Sequence, residues 1–124
     1  MKKILINFEM DSLESSVKFS TVGEYKNQQI EFQDNELNIH KVLFKEEIIE
    51  YYKTGSMDMK FVFNQNKPTK GIYNIDNNLF EFDILTSILD NTNNKLVVKY
   101  DLIQNNEIVN RSTLIIKYSI TQEE

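Results

Sequence analysis

Met57-Asp58-Met59-Lys60-Phe61-Val62-Phe63 is the stretch that decides the fold class. Met57, Met59, Phe61 and Phe63 recur at every second position, and Asp58, Lys60 and Val62 fill the positions between. Successive side chains of an extended chain point to opposite faces, so this spacing builds a strand with one buried face. Outward from it the pattern repeats. In Leu79 to Ile84, Phe80, Phe82 and Ile84 share a face opposite Glu81 and Asp83. Leu96, Val98, Tyr100 and Leu102 do the same in the next run, and Leu114, Ile116, Tyr118 and Ile120 in the last. Earlier runs cover Val17 to Tyr25, Ile30 to Phe32, Leu37 to Leu43 and Ile48 to Thr54.

The separators are turn chemistry. Lys26-Asn27-Gln28, Asp34-Asn35-Glu36, Lys45-Glu46, the segment 64–69 around Pro68, Asp76-Asn77-Asn78, 90–94 and Asn105-Asn106 each stand between apolar runs. Asn and Asp tolerate left-handed backbone, which tight hairpins require, so Asp76-Asn77-Asn78 and Asn105-Asn106 are expected hairpin tips. Residues 35–52 also admit a helical face through Leu37, Val42, Phe44, Ile48 and Ile49. The β-branched pair Ile48-Ile49 and the absence of alanine favour two strands joined at Lys45-Glu46. Residues 84–89 admit a helical turn at the end of their strand. Met1 to Glu9 begins basic and then apolar, but Asn7 and Glu9 interrupt the run and no small-residue cleavage site follows. It reads as a first strand.

Consecutive strands joined by short turns imply an antiparallel meander. An open sheet of that width would leave long edges exposed, and closure into a barrel removes them. The expected architecture is all-β: a single up-and-down antiparallel barrel of about 8–10 strands, occupying 1–124 as one domain with no linker.

Composition narrows the function classes. The 14 basic and 19 acidic residues give a formal net charge of -5. That sign argues against nucleic acid, whose phosphates require a basic footprint, and against docking on anionic membranes. No run of apolar residues approaches a membrane span of about 20 residues. Without cysteine there is no disulfide, thiolate nucleophile or cysteine-ligated zinc. The expected location is the cytoplasm. Thirteen lysines beside one arginine, with abundant Asn and Ile and no Ala, match the codon bias of an AT-rich genome.

Few residues carry chemistry. His40 is the one histidine, and no carboxylate or nucleophile stands beside it in sequence, so it is expected at the surface or the rim. A lone histidine makes an imidazole-based metal site improbable. Asp58, Glu81, Asp83 and Asp101 fall on polar strand faces, where solvent is the usual neighbour. Residues 76–78 and 90–94 lack the glycine and terminal glutamate of a calcium loop. The one arginine, Arg111, falls on the outer phase of its strand when Leu114, Ile116 and Tyr118 face inward. Gly55-Ser56 marks a strand bend or bulge rather than a phosphate loop.

Thr21-Val22-Gly23-Glu24-Tyr25 resembles the early T-x-G-x-Y/F element of the YwiB-like family of uncharacterised bacterial proteins. Residues 48–61, with Lys53-Thr54-Gly55-Ser56-Met57, resemble that family's strand pair around a basic-x-G turn. Lys53-Thr54 stands where the family often has Arg before the glycine. Leu96 to Leu102, with 110–118, resemble its closing hairpin. The resemblance spans roughly residues 17–118 and implies a calycin-type, lipocalin-like β-barrel, with strands over 35–52. It implies no activity.

The expected interior includes Met57, Met59, Phe61, Phe80, Phe82 and Tyr100, which would line any ligand site. The leading expectation is a non-catalytic binding module for a small apolar or amphipathic molecule, with no cofactor and no metal. The alternative is a solid-core barrel that pairs with itself, as a homodimer, or with another protein through outer-phase Val62, Val97, Val109 and Ile115. An enzyme ranks third, since no nucleophile, base and orienting group assemble from these residues.

Overall fold

The computed structural model describes residues 2–123, with side chains described as far as Thr121. Met1 lies outside the described residues. Ten strands run in order: β1 (Lys2–Ser12), β2 (Ser16–Lys26), β3 (Gln29–Gln33), β4 (Ile39–Phe44), β5 (Ile49–Thr54), β6 (Asp58–Phe63), β7 (Thr69–Ile75), β8 (Asn78–Thr92), β9 (Lys95–Gln104) and β10 (Glu107–Glu123). Each pairs antiparallel with its neighbour in sequence, and β1 closes the ring by pairing with both β2 and β10. The protein is an up-and-down barrel, as the alternation predicts. Residues 35–52 form β4 and β5 rather than a helix. No helix is long and apolar enough to cross a membrane among the described residues.

The hairpins close as the Asn-rich separators require. Asn27-Gln28, Asp76-Asn77, Asn93-Asn94 and Asn105-Asn106 each place two consecutive residues at positive φ, between 50° and 65°. Two left-handed residues define the turn whose twist matches that of paired strands.

The ambiguity at residues 84–89 resolves in favour of strand: β8 continues through them. A register shift between Thr86 and Ile88 leaves Ser87 as a bulge. Strand β9 supplies ladder partners on both sides of the bulge, so the backbone is satisfied without a helical turn. A second bulge lies between Ile108 and Asn110 in β10.

Inward-facing residues alternate along every strand. Ile4, Ile6 and Phe8 come from β1, Ile30 and Phe32 from β3, Met59, Phe61 and Phe63 from β6, Leu96, Val98, Tyr100 and Leu102 from β9, and Leu114 and Ile116 from β10. A ten-stranded barrel is wider than the eight-stranded kind that ordinary side chains fill, so aromatic rings do much of the filling. Phe63 and Tyr100 approach to 4.7 Å between centroids, and Phe61 meets Tyr73 at 5.1 Å. The end carrying the β2–β3, β4–β5, β6–β7 and β8–β9 turns is covered by Tyr25, Phe44 and Tyr118, with centroids 6.0 Å apart. The opposite end stays partly open.

Candidate functional site

The open end carries the β1–β2, β3–β4, β5–β6, β7–β8 and β9–β10 turns. It holds a cavity of about 150 Å³ lined by Phe8, Met10, Val17, Phe19, Asp34, His40, Tyr51, Lys53, Met57, Met59, Phe61, Tyr73 and Tyr100. Four of the six expected lining residues are brought together here: Met57, Met59, Phe61 and Tyr100. Phe80 and Phe82 are not. Their alternation phase is right, but β8 pairs with β9 only from Asp83 onward, so 79–82 overhang the rim beside β7. Phe80 is therefore 45% exposed, and half-buried Phe82 packs against Tyr73 from outside the cavity lining.

The expectation for His40 is corrected. The imidazole is 2% exposed and stacks on Phe32 at 4.7 Å. Strand β4 places it inward, opposite Phe32 on one side and Lys53 on the other. Its carboxylate partner comes from the β3–β4 turn, six residues upstream. Asp34 Oδ2 lies 2.8 Å from His40 Nε2, and Tyr51 Oη lies 2.7 Å from Nδ1. Asp34 also shapes the turn: its Oδ1 accepts the backbone N–H groups of Glu36 and Asn38 at 2.9 and 3.0 Å. Asn38 ties that turn to the β5–β6 turn by accepting the Ser56 N–H at 3.0 Å. The close fit needs glycine at position 55, where φ is 153° and a Cβ would collide with Asn38 Oδ1.

Proton positions follow from the charges. Burial raises the Asp34 carboxyl, but the hydrogen bonds from His40, Asn38 and Glu36 outweigh it and hold the group down at about 2. An ionised Asp34 can only accept, so His40 Nε2 carries the proton and donates it. Burial lowers the His40 pKa, the Asp34 hydrogen bond opposes this, and the Lys53 charge adds to the lowering. Neutral His40 then accepts the Tyr51 hydroxyl at Nδ1. Burial raises the Tyr51 phenol well above its ordinary value and raises Tyr73 and Tyr100 too. Three protonated phenols and a neutral imidazole thus share the end of the barrel.

Lys53 follows Tyr51 on the inward phase of β5 and lies half-buried in the cavity lining. Its ammonium has no hydrogen-bond or ion-pair partner among the described residues. The scattered carboxylates are elsewhere: Asp58, Glu81 and Asp83 are exposed, and Asp101 pairs with exposed Arg111 at 3.4 Å on the outer surface. Among the described residues, no group of three or more His, Asp or Glu side chains is placed to hold a metal ion.

Sequence reasoning expected His40 at the surface or the rim and missed Asp34, Tyr51, Lys53 and Tyr73. For Tyr51 and Lys53 a signal existed, since alternation from Ile49 puts both inward. For Asp34 there was none, because a turn residue has no strand phase.

The chain belongs to the DUF1934 family, a domain of unknown function, which matches residues 4–116. The crystal structure of the ywiB protein from Bacillus subtilis is similar, with a TM-score of 0.73 and 15% sequence identity. The likeness covers 98% of this chain and 93% of that one. At this identity it establishes a common barrel fold. No curated protein matches the chain.

Proposed function

We propose that this member of the family is a non-catalytic binding module that takes one small amphipathic molecule at the open end of its barrel. The supporting observation is the cavity of about 150 Å³ whose lining is aromatic and Met-rich except at Asp34, His40, Tyr51 and Lys53. Apolar walls with a few convergent polar groups are the usual make-up of a ligand site. The size limits the occupant. Pockets for drug-sized ligands run from about 300 Å³ upward, whereas an apolar cavity of roughly 150 Å³ holds benzene. The ligand therefore places a compact apolar group inside and its polar end at the mouth.

The non-catalytic reading is supported by the chemistry of the chain itself. Asp34 and His40 resemble an orienting acid and a base, but the hydroxyl they address is Tyr51, which burial keeps protonated. The lining offers no serine, threonine or cysteine nucleophile. The acidic, cysteine-free composition fits a bacterial cytoplasm.

A second reading is an interaction module, possible because Leu79, Phe80, Ile108 and Val109 are exposed apolar side chains. Native mass spectrometry of freshly purified protein separates the two. A small adduct lost on denaturation supports the binding module. A clean dimer without adduct overturns it in favour of the interaction module.

A further inference from the structure

Resting on the reading of the open end as a ligand site, we infer that the site takes a compact amphipathic carboxylate, anchored on the Lys53 ammonium, and that its binding brings a proton to His40. The charge balance of the lining selects the anion. The Asp34 carboxylate already accepts from the backbone of Glu36 and Asn38, from the Asn38 amide and from His40. Lys53 is the charged group of the lining whose hydrogen-bonding capacity is unmet among the described residues. A half-buried lysine beside apolar walls favours a carboxylate head, because the pair it forms is charge-assisted.

The coupling to His40 follows from the hydrogen-bond chain. While the imidazole is neutral, Tyr51 commits its O–H to Nδ1 and has only oxygen lone pairs left to offer a ligand. Those lone pairs repel an anion. Protonating Nδ1 reverses the bond: His40 then donates to Tyr51 Oη, and the phenol O–H is free to donate to the ligand. The groups facing His40 are Asp34 from the β3–β4 turn and Tyr51 and Lys53 from β5. Phe8, Phe19 and Phe32 pack on it from β1, β2 and β3 without charge. A carboxylate on Lys53 offsets the one positive charge that disfavours imidazolium, so binding and proton uptake reinforce each other.

The sign is definite. Affinity for the carboxylate rises as pH falls below the ordinary histidine range, until the ligand's own carboxyl is protonated near about pH 4. Reciprocally, the ligand raises the His40 titration midpoint.

The test is an NMR titration of the labelled full chain with phenylacetate, phenylacetamide, 2-phenylethylammonium and toluene, at several pH values. The expected result is that phenylacetate binds about tenfold more tightly than the amide near pH 6, the effect of one partly desolvated charge pair. Phenylacetate also moves the His40 imidazole midpoint upward. Lys53→Met removes the carboxylate preference and leaves amide and toluene binding in place. Equal affinity for carboxylate and amide, or a silent Lys53→Met, overturns the anion anchor while the ligand-site reading stands. A preference for the ammonium reverses the charge assignment. Carboxylate binding that leaves the His40 midpoint unmoved overturns the proton coupling. Failure of all four probes, toluene included, overturns the ligand-site reading itself.

Discussion

Nε2 of His40 on β4 lies 2.8 Å from Oδ2 of Asp34, whose other oxygen organises the β3–β4 turn. One side chain therefore closes the β3–β4 connection and sets the imidazole tautomer. The orientation of the Tyr51 hydroxyl, and with it the polarity of the barrel mouth, depends on a residue of the loop.

Removing the Tyr51 hydroxyl tests that chain. Tyr51→Phe leaves His40 Nδ1 as a buried acceptor without its partner at 2.7 Å. The expected loss is about 1–3 kcal/mol of stability, read from urea unfolding. An unchanged midpoint would show that the bond is not made in solution.

Acid should weaken the fold in two stages. His40 in the folded protein lies below its ordinary 6.5 because burial disfavours the imidazolium. A group depressed on folding contributes stability that is complete above its unfolded pKa and lost as pH falls through the folded one. The first loss therefore begins below 6.5. Asp34, lowered from 3.8 to about 2, adds a second loss between those values. Urea midpoints measured across pH should fall from 6.5 downward in the native chain and stay flatter just below 6.5 in His40→Gln. Parallel profiles would remove His40 as the cause.

Thr86 Oγ1 is a buried side-chain polar atom without a hydrogen-bond partner among the described residues. Thr86→Val replaces that hydroxyl with a methyl group of similar volume. A gain in stability on the order of 1 kcal/mol is expected, since an unsatisfied buried group is removed. A loss of that size in thermal unfolding would mean that the hydroxyl has a partner in solution.

Gly71 faces the barrel interior on β7, where a Cβ would fall 2.8 Å from Phe61 Cδ1 and 2.9 Å from Ile84 Cδ1. Gly71→Ala is expected to cost about 1–3 kcal/mol by overpacking. Because Phe61 also lines the cavity, its ring shift should appear in the NMR spectrum of the mouth residues. Wild-type stability with unmoved mouth resonances would show that the interior yields at no cost.

Much of the fold was legible in local pattern. Met59, Phe61 and Phe63 are buried as their alternation requires, and Asp76-Asn77 and Asn105-Asn106 make the tight turns that their chemistry permits. Arg111 lies outside, as the phase of Leu114 and Ile116 dictates. Those features depend on periods of two and on the backbone tolerance of single residues, both written along the chain. Phe80 marks the limit: its phase was right, but whether an inward-phase residue meets another side chain depends on where its strand leaves the barrel. The bulge at Ser87 has the same origin, since it is defined by registration with β9.

By itself, then, the sequence determined that the chain forms antiparallel strands, where most turns fall and the inward phase of the main apolar runs. Only the tertiary structure decided that the interior is filled at one end and hollow at the other, and that Asp34, His40, Tyr51 and Lys53 meet there. The physical reason is that alternation encodes direction, whereas a site requires proximity. Proximity here comes from the register of β4 against β5 and from a turn carboxylate that strand periodicity does not describe.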